Sequence, residues 1–291
     1  MTVAFALAAA LFYGAADFCG GLASRRVASL AVVVWSQAAG LAVLLPALLV
    51  VPGVPRASDL AWGLACGLAG AFAIALLYRG LAIGTMGVVS PVTAVFAAAI
   101  PVGFAVLRGE RPAPLALIGI GCALVAVVLV SASPAPPSPA GADAPLARAP
   151  RARRLPPGIP EALGAGAAFG FFFIALAQTH ADAGLYPLLA TRLASIAILG
   201  TGALLLRRPL RVGRAGLPTI VAAGLLDMGA NVFYVLAAHA GALSVAAVIT
   251  SLYPAGTVAL AAAVLHERLV RVQWIGVTVA LTGVLCISLA R

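Results

Sequence analysis

The sequence predicts an all-α integral membrane protein whose ten transmembrane helices form two inverted five-helix repeats. Three observations carry that prediction. Of 291 residues, 63% are hydrophobic and only 9% charged, and mean hydropathy is +1.13; soluble domains hold nearer half apolar and a quarter charged residues. Ten apolar runs approach the roughly 20 residues a helix needs to cross a bilayer. The interval 132–157 alone could not live in lipid, being rich in proline and alanine and carrying Arg148, Arg151, Arg153 and Arg154. Proline removes backbone donors and favours extended chain, so this interval reads as a flexible linker between two halves.

The runs before the linker are 3–21, 30–51, 60–83, 88–107 and 115–130, and those after it are 159–177, 185–206, 217–238, 243–265 and 272–289. Helices satisfy their own backbone in lipid, which makes each run a helix. Turn signals such as Val51-Pro52-Gly53 and Arg207-Arg208-Pro209 separate them. The first run starts without a positively charged segment and continues to about Gly20, so it reads as a span and not a cleaved signal.

The two halves resemble each other. A shift of 157 residues lays Gly84 on Gly241, Val88 on Val245, Thr93 on Thr250, Glu110-Arg111 on Glu267-Arg268 and Ile118-Gly119 on Ile275-Gly276. Each half holds an odd number of spans, so the second must enter the membrane the other way up. The boundaries follow as residues 1–131, the linker 132–157 and residues 158–291.

Charge sets the expected orientation. The net charge of +10 comes from arginine, with no lysine in the chain. Placing the N-terminus outside puts Arg25, Arg26, Arg79, the linker arginines, Arg207, Arg208, Arg211, Arg214, Arg268 and Arg271 in the cytoplasm. Only Arg56, Arg108, Arg111 and Arg291 then fall on the other side. The positive-inside bias therefore favours both termini outside and a cytoplasmic linker. With Arg192 the exception, the arginines lie in or at the ends of the connections between apolar runs, as the positive-inside bias places them, which argues against nucleic acid as a partner. Cys19, Cys66, Cys122 and Cys286 lie singly in apolar runs and read as packing residues. No metal-ligand cluster, Walker A, HExxH or GxSxG pattern appears, so no cofactor or metal is expected.

Ionisable residues within spans are costly and are the first candidates for a site. Arg192 stands about eight residues into the seventh run and Asp227 near the middle of the eighth. In antiparallel neighbours their depths differ by roughly 5 Å, within reach of an arginine side chain. Asn231 is one turn beyond Asp227 on the same face, which Gly224 and Tyr234 extend. Arg192 could hold an anionic group and Asp227 a proton or a substrate amine; the alternative is a structural ion pair that neutralises two buried charges. Asp17 reads as an edge carboxylate pairing with Arg25 or Arg26. Gln37 is expected to face inward, because an amide facing lipid is unsatisfied. Tyr13 and the phenylalanines 169 and 171–173 could line a pocket or simply pack. Pro91 and Pro101 in the fourth run and Pro254 in the ninth are candidate helix breaks or gates. Glycine pairs 63/67 and 166/170 have the spacing for close helix approach, and Glu110 and Glu267 read as anchors of turns.

Several of these features resemble the EamA-type transporters of the drug/metabolite transporter superfamily. They are Gly109-Glu110-Arg111 and His266-Glu267-Arg268 between the fourth and fifth runs of each half, Tyr13-Gly14-Ala15-Ala16-Asp17-Phe18, and Ser251-Leu252-Tyr253-Pro254. The resemblance covers nearly all of the chain outside the linker. It implies a bacterial inner-membrane carrier that works by alternating access, often as an exporter, on amino acids, drugs or other small solutes. Combined with the candidate site, this gives a secondary active transporter of a small organic metabolite or drug, with Asp227 the carboxylate placed for proton coupling. The expected partners are that solute and the lipid bilayer; a homodimer is allowed but not specified by the sequence. The alternative is an integral membrane enzyme acting on lipid or isoprenoid, which should cluster acidic or histidine residues at one membrane face. The eight acidic residues are instead spread along the chain.

Overall fold

A computed structural model describes residues 1–84, 86–130, 157–264 and 270–289. Linker residues 132–156 with their arginines, the His266-Glu267-Arg268 turn and Arg291 lie outside the described residues. Within them the chain forms helices α1 (Thr2–Ser24), α2 (Ser29–Val50), α3 (Ala57–Ile83), α4 (Met86–Leu107), α5 (Pro114–Val130), α6 (Ile159–Ala177), α7 (Tyr186–Leu205), α8 (Leu217–Ala240), α9 (Leu243–Thr250), α10 (Tyr253–Val264) and α11 (Arg271–Leu289). A short 3-10 turn at Ala181–Ala183 precedes α7. Helices α1, α2, α3, α6, α7 and α8 are each long and apolar enough to cross a membrane, while α4, α5, α9–α10 and α11 carry shorter apolar stretches.

The prolines act unequally. The ninth run, expected as one helix, divides into α9 and α10 at Ser251-Leu252. Pro254 has no N–H to return to the carbonyl of Thr250, so the ladder fails there. Pro91 and Pro101, expected as breaks, lie within α4, which runs unbroken. Each removes a single ladder bond, and the bonds around it keep the helix intact.

Contacts made by one half recur in the other with partners exchanged. Helix α1 packs on α8 as α6 packs on α3, and α2 packs on α8 as α7 packs on α3. A Cβ on Gly241 would lie 2.5 Å from Thr2 Oγ1; on Gly84, which the 157-residue shift equates with Gly241, it would lie 2.8 Å from the Pro157 carbonyl oxygen. Both interfaces are antiparallel: Phe12 of α1 meets Gly229 of α8, and Gly164 of α6 meets Leu76 of α3. Helices α5 and α11 close on each other through Gly119 and Gly283, each of which faces the other's carbonyl oxygen.

Lipid offers no hydrophobic drive between helices, so close packing of small residues has to hold them together. The interior accordingly contains Ala6, Ala9, Ala16, Ala73, Ala97, Ala165 and Ala223, all essentially inaccessible, while Leu49, Leu107, Leu204 and Leu205 point outward. The glycine pairs serve this packing. Gly63 and Gly67 of α3 sit against the Pro187 and Thr191 carbonyls of α7, and Gly166 and Gly170 of α6 against Thr93 and Ile100 of α4. Hydroxyls reinforce the same seams. Thr191 Oγ1 donates to the Gly63 carbonyl and Ser195 Oγ to that of Gly67, both at 2.9 Å.

Candidate functional site

Four helices drawn from both halves bring one polar cluster into the apolar interior. Arg192 of α7 reaches across to α8, where its Nη2 donates to Asp227 Oδ2 at 2.5 Å. Its Nη1 donates to Gln37 Oε1 of α2. Asn231, one turn after Asp227, donates through Nδ2 to the Asp227 carbonyl at 2.6 Å and faces the carboxylate at 3.4 Å. Its Oδ1 accepts the Tyr13 hydroxyl of α1 at 3.0 Å. The result is a continuous chain from Tyr13 through Asn231, Asp227 and Arg192 to Gln37. Arg192, Gln37 and Asn231 are each only 4% exposed, and the Asp227 side chain 14%.

Backbone close approach creates this arrangement. Gly224, one turn before Asp227, lies against the Ser36 carbonyl, which brings α2 onto α8 and places Gln37 beside the guanidinium. Gly40 tightens the same seam, since a Cβ there would sit 3.1 Å from the Gly224 carbonyl oxygen, and it borders the guanidinium. A guanidinium with fixed donors and a carboxylate that only accepts suit each other in such a space. The same pair can exchange partners with a solute carrying opposite charges: an anionic group on Arg192 and an ammonium or hydrogen-bond donor on Asp227.

Tyr234 stands apart from the ion pair. Its hydroxyl donates to the Phe173 carbonyl of α6 at 3.1 Å, and its ring lies 4.4 Å from that of Phe173. Phe173 also meets the Tyr13 ring at 6.0 Å and Phe172 at 5.6 Å, so an aromatic wall flanks the Tyr13 end of the cluster. Phe171, by contrast, faces outward. Helix α10, whose second residue is Pro254, packs on α1 beside the cluster. Gly14, next to Tyr13, lies against the Tyr253 carbonyl, and Thr257 Oγ1 donates to the Gly14 carbonyl at 3.0 Å. Pro101 of α4 makes no bond to the cluster among the described residues, and the Pro91 side chain lies outside them.

The profile of the EamA-like transporter family matches residues 1–132 and 156–289, nearly the whole chain in two pieces. The chain belongs to the EamA-like transporter family. One crystal structure aligns with this EamA-like chain at a TM-score of 0.68, covering 97% of it and 96% of its own length at 17% identity. That likeness is one of fold. No curated protein matches the chain. Membership, together with the apolar helices, makes this a multi-pass membrane protein of a transporter family.

Other polar residues of this EamA-like protein differ from the sequence reading. Asp17 makes no ion pair with Arg25 or Arg26; it is 8% exposed while both arginines are exposed. The reason is helical phase: Asp17 shares the interior face of α1 with Tyr13, and the arginines follow the helix end. Glu110 does anchor a turn, accepting the hydroxyl of Ser244 in the first turn of α9.

One group went unrecognised in the sequence. Asp59, fully buried in the first turn of α3, accepts the N–H of Arg56 at 2.9 Å and both the N–H and Nδ1 of His180 at 2.8 Å. Arg56 pairs with Asp182 at 3.1 Å. His239 Nε2 meets the Thr179 carbonyl at 2.7 Å. Together these tie the connection before α3 to the one before α7. An aspartate three residues after Arg56 at a helix start was the available signal.

Proposed function

We propose that this chain is a secondary active carrier that moves a small organic metabolite or drug across the bacterial inner membrane by alternating access, in the export direction. In this reading ten spans form two inverted five-helix halves, residues 1–131 and 158–291. Both termini lie outside and residues 132–157 in the cytoplasm. The exchange of partners between the halves supports the inverted arrangement, because rocking one half against the other requires equivalent interfaces on the two sides of a shared site.

The observation that carries the proposal is the Tyr13–Asn231–Asp227–Arg192–Gln37 chain. Asp227 lies half-way along α8, so the charges sit deep in the span, where a structural role alone could be filled by apolar residues at no cost in stability. Side chains from both halves meet there, so a solute bound to them would feel any movement between the halves. Its chemistry follows: an anionic group for Arg192, a cationic or donor group for Asp227, and apolar surface for the Phe172–Phe173–Tyr234 wall. An enzyme acting on lipid would need its reactive groups at a membrane face instead.

The test presupposes no solute. Small molecules in the medium and within cells are compared when the protein is overproduced, deleted or present as Asp227→Asn. One chemical class should redistribute with the wild-type protein alone. Unchanged solutes with altered membrane lipids would replace the carrier reading with the enzyme.

A further inference from the structure

The interior holds a second carboxylate that the Arg192 network leaves unused. Asp17 follows Tyr13 by one turn on the buried face of α1 and is 8% exposed. Because α1 and α8 are antiparallel, with Thr2 against Gly241 and Phe12 against Gly229, Asp17 comes level with Asp227. The two acids are treated differently. Asp227 is held by Arg192 and Asn231, whereas Asp17 has no ion pair or hydrogen bond among the described residues.

Among the described residues no cation pairs with it: Arg192, whose charge reaches the neighbouring Tyr13 and Tyr78, is taken up by Asp227 and Gln37. The titratable groups near enough for their charge to act on it are Asp227 on α8, Tyr78 on α3, Tyr253 on α10 and Tyr13 on α1. Helices α2 and α9 contain no titratable residue. Of the other ionisable groups on α3 and α8, Asp59 is engaged by His180, Arg79 by Glu161, His239 by Thr179, and Cys66 and Tyr234 by the Phe172 and Phe173 carbonyls. On α1 the free Cys19 thiol adds no positive charge.

A separate observation points to the same place. Tyr78 is 0% exposed, and its hydroxyl has no hydrogen-bond partner among the described residues. The tip of its ring lies directly over Gly20, three residues beyond Asp17, so closely that a Cβ there would overlap it. One turn further along α1 the Ser24 hydroxyl is also buried and unpartnered. Asp17, Tyr78 and Ser24 thus line one strip of α1 that leads to the exposed Arg25 and Arg26.

We propose that Asp17 is a proton-binding site of this protein, flanked by the Tyr78 and Ser24 hydroxyls, and that its proton is the one coupled to solute movement. An acid taken out of water without a counter-charge accepts a proton, which cancels its charge; one clasped by a guanidinium retains its charge. The exchange is a bare proton transfer: hydronium reaching the site from the outer face gives a proton to an Asp17 oxygen and leaves water, and after the halves rock the same O–H bond breaks to give the proton to water on the Arg25 side. The coupling rests on the carrier reading; the proton binding does not.

Infrared difference spectra of the purified full-length protein in lipid nanodiscs, recorded between pH steps, test the binding. Wild type should show a protonated-carboxyl C=O band that disappears in Asp17→Asn, persists in Asp227→Asn and returns at a shifted frequency in Asp17→Glu. No such band in wild type, or its survival in Asp17→Asn, overturns the proposal. Coupling is read in cells: a protonophore should abolish the wild-type solute redistribution and have no effect in Asp17→Asn. If the Asp17→Asn redistribution is still collapsed by protonophore, the coupling role falls. If the band belongs to Asp17 and no solute responds to the protein, it is the carrier reading that fails.

Discussion

Tyr13 of α1 and Asn231 of α8 are joined by a 3.0 Å hydrogen bond between side chains 218 positions apart, one in each half of the chain. That bond sets the orientation of Asn231, whose amide then donates toward Asp227. Replacing Tyr13 by Phe removes the donor and leaves a buried amide oxygen unsatisfied, a loss of about 1–3 kcal/mol. Tyr234→Phe should lose about 0.5–1.5 kcal/mol, since it removes one donor from a carbonyl within α6. The two should differ in function. Solute redistribution should fall sharply in Tyr13→Phe, which disturbs the ion-pair network, and much less in Tyr234→Phe. Equal losses would mean that the Tyr234 hydroxyl, and not only its ring in the aromatic wall, serves the site.

The Arg192–Asp227 pair has its own signature. Arg192→Ala leaves a carboxylate in a nearly dry interior and should cost about 3–5 kcal/mol, read as a lower melting temperature in detergent. The double variant Arg192→Ala, Asp227→Ala removes both charges and should recover much of that stability while remaining inactive in the solute comparison. A double variant as unstable as the single one would mean that packing by the arginine stem, and not charge, dominates.

How far the sequence revealed all this depended on the kind of signal. The long apolar runs were legible because lipid imposes a length and forbids unpaired backbone. Arg192, Asp227, Asn231 and Gln37 were legible because polar groups are rare in such runs and helical spacing fixes their relative depth. Which partner each would take was not. Tyr234 shares a face with Asp227, yet its hydroxyl finds a carbonyl of α6 first, and only the arrangement of helices decides that. Asp17 was misread for the converse reason. Nearness in sequence suggested Arg25 and Arg26, while the phase of α1 turned the carboxylate inward. Prolines gave an ambiguous signal, because one missing N–H breaks α9–α10 but leaves α4 whole.

Glycine contacts separate packing from helix propensity. Gly224→Ala places a methyl group against the Ser36 carbonyl, and neither backbone can give way without lifting α2 from α8. Overpacking of this kind costs about 1–3 kcal/mol, and because Gln37 moves with α2, solute redistribution should be lost as well. Gly103→Ala on α4 meets nothing within 4 Å, so it should be neutral or gain about 0.5–1 kcal/mol from the better helix former. Thermal unfolding of the two variants side by side measures the difference. A mild effect at Gly224 would mean that the α2–α8 seam is less tight than its geometry.

The last expectation concerns the tie between the connections that precede α3 and α7. Asp59→Asn keeps the shape of the side chain but replaces one acceptor oxygen by an NH2 group that only donates, so the remaining oxygen accepts from Arg56 or from His180 but not from both. With Asp59 fully buried, one donor is left facing another, and the loss should be about 1–3 kcal/mol. Asp182→Asn breaks an ion pair whose side chains are 54% and 56% exposed, where water and salt screen the charges, so it should cost at most about 1 kcal/mol. Hydrogen exchange resolves the two. The amides of Gly53, Val54 and Arg56 and those at 180–184 should exchange faster in Asp59→Asn than in Asp182→Asn, with α5 and α11 unaffected in both. Equal protection in the two variants would mean that the backbone bond from Val54 to the Asp182 carbonyl, and not the Asp59 carboxylate, holds the connections together.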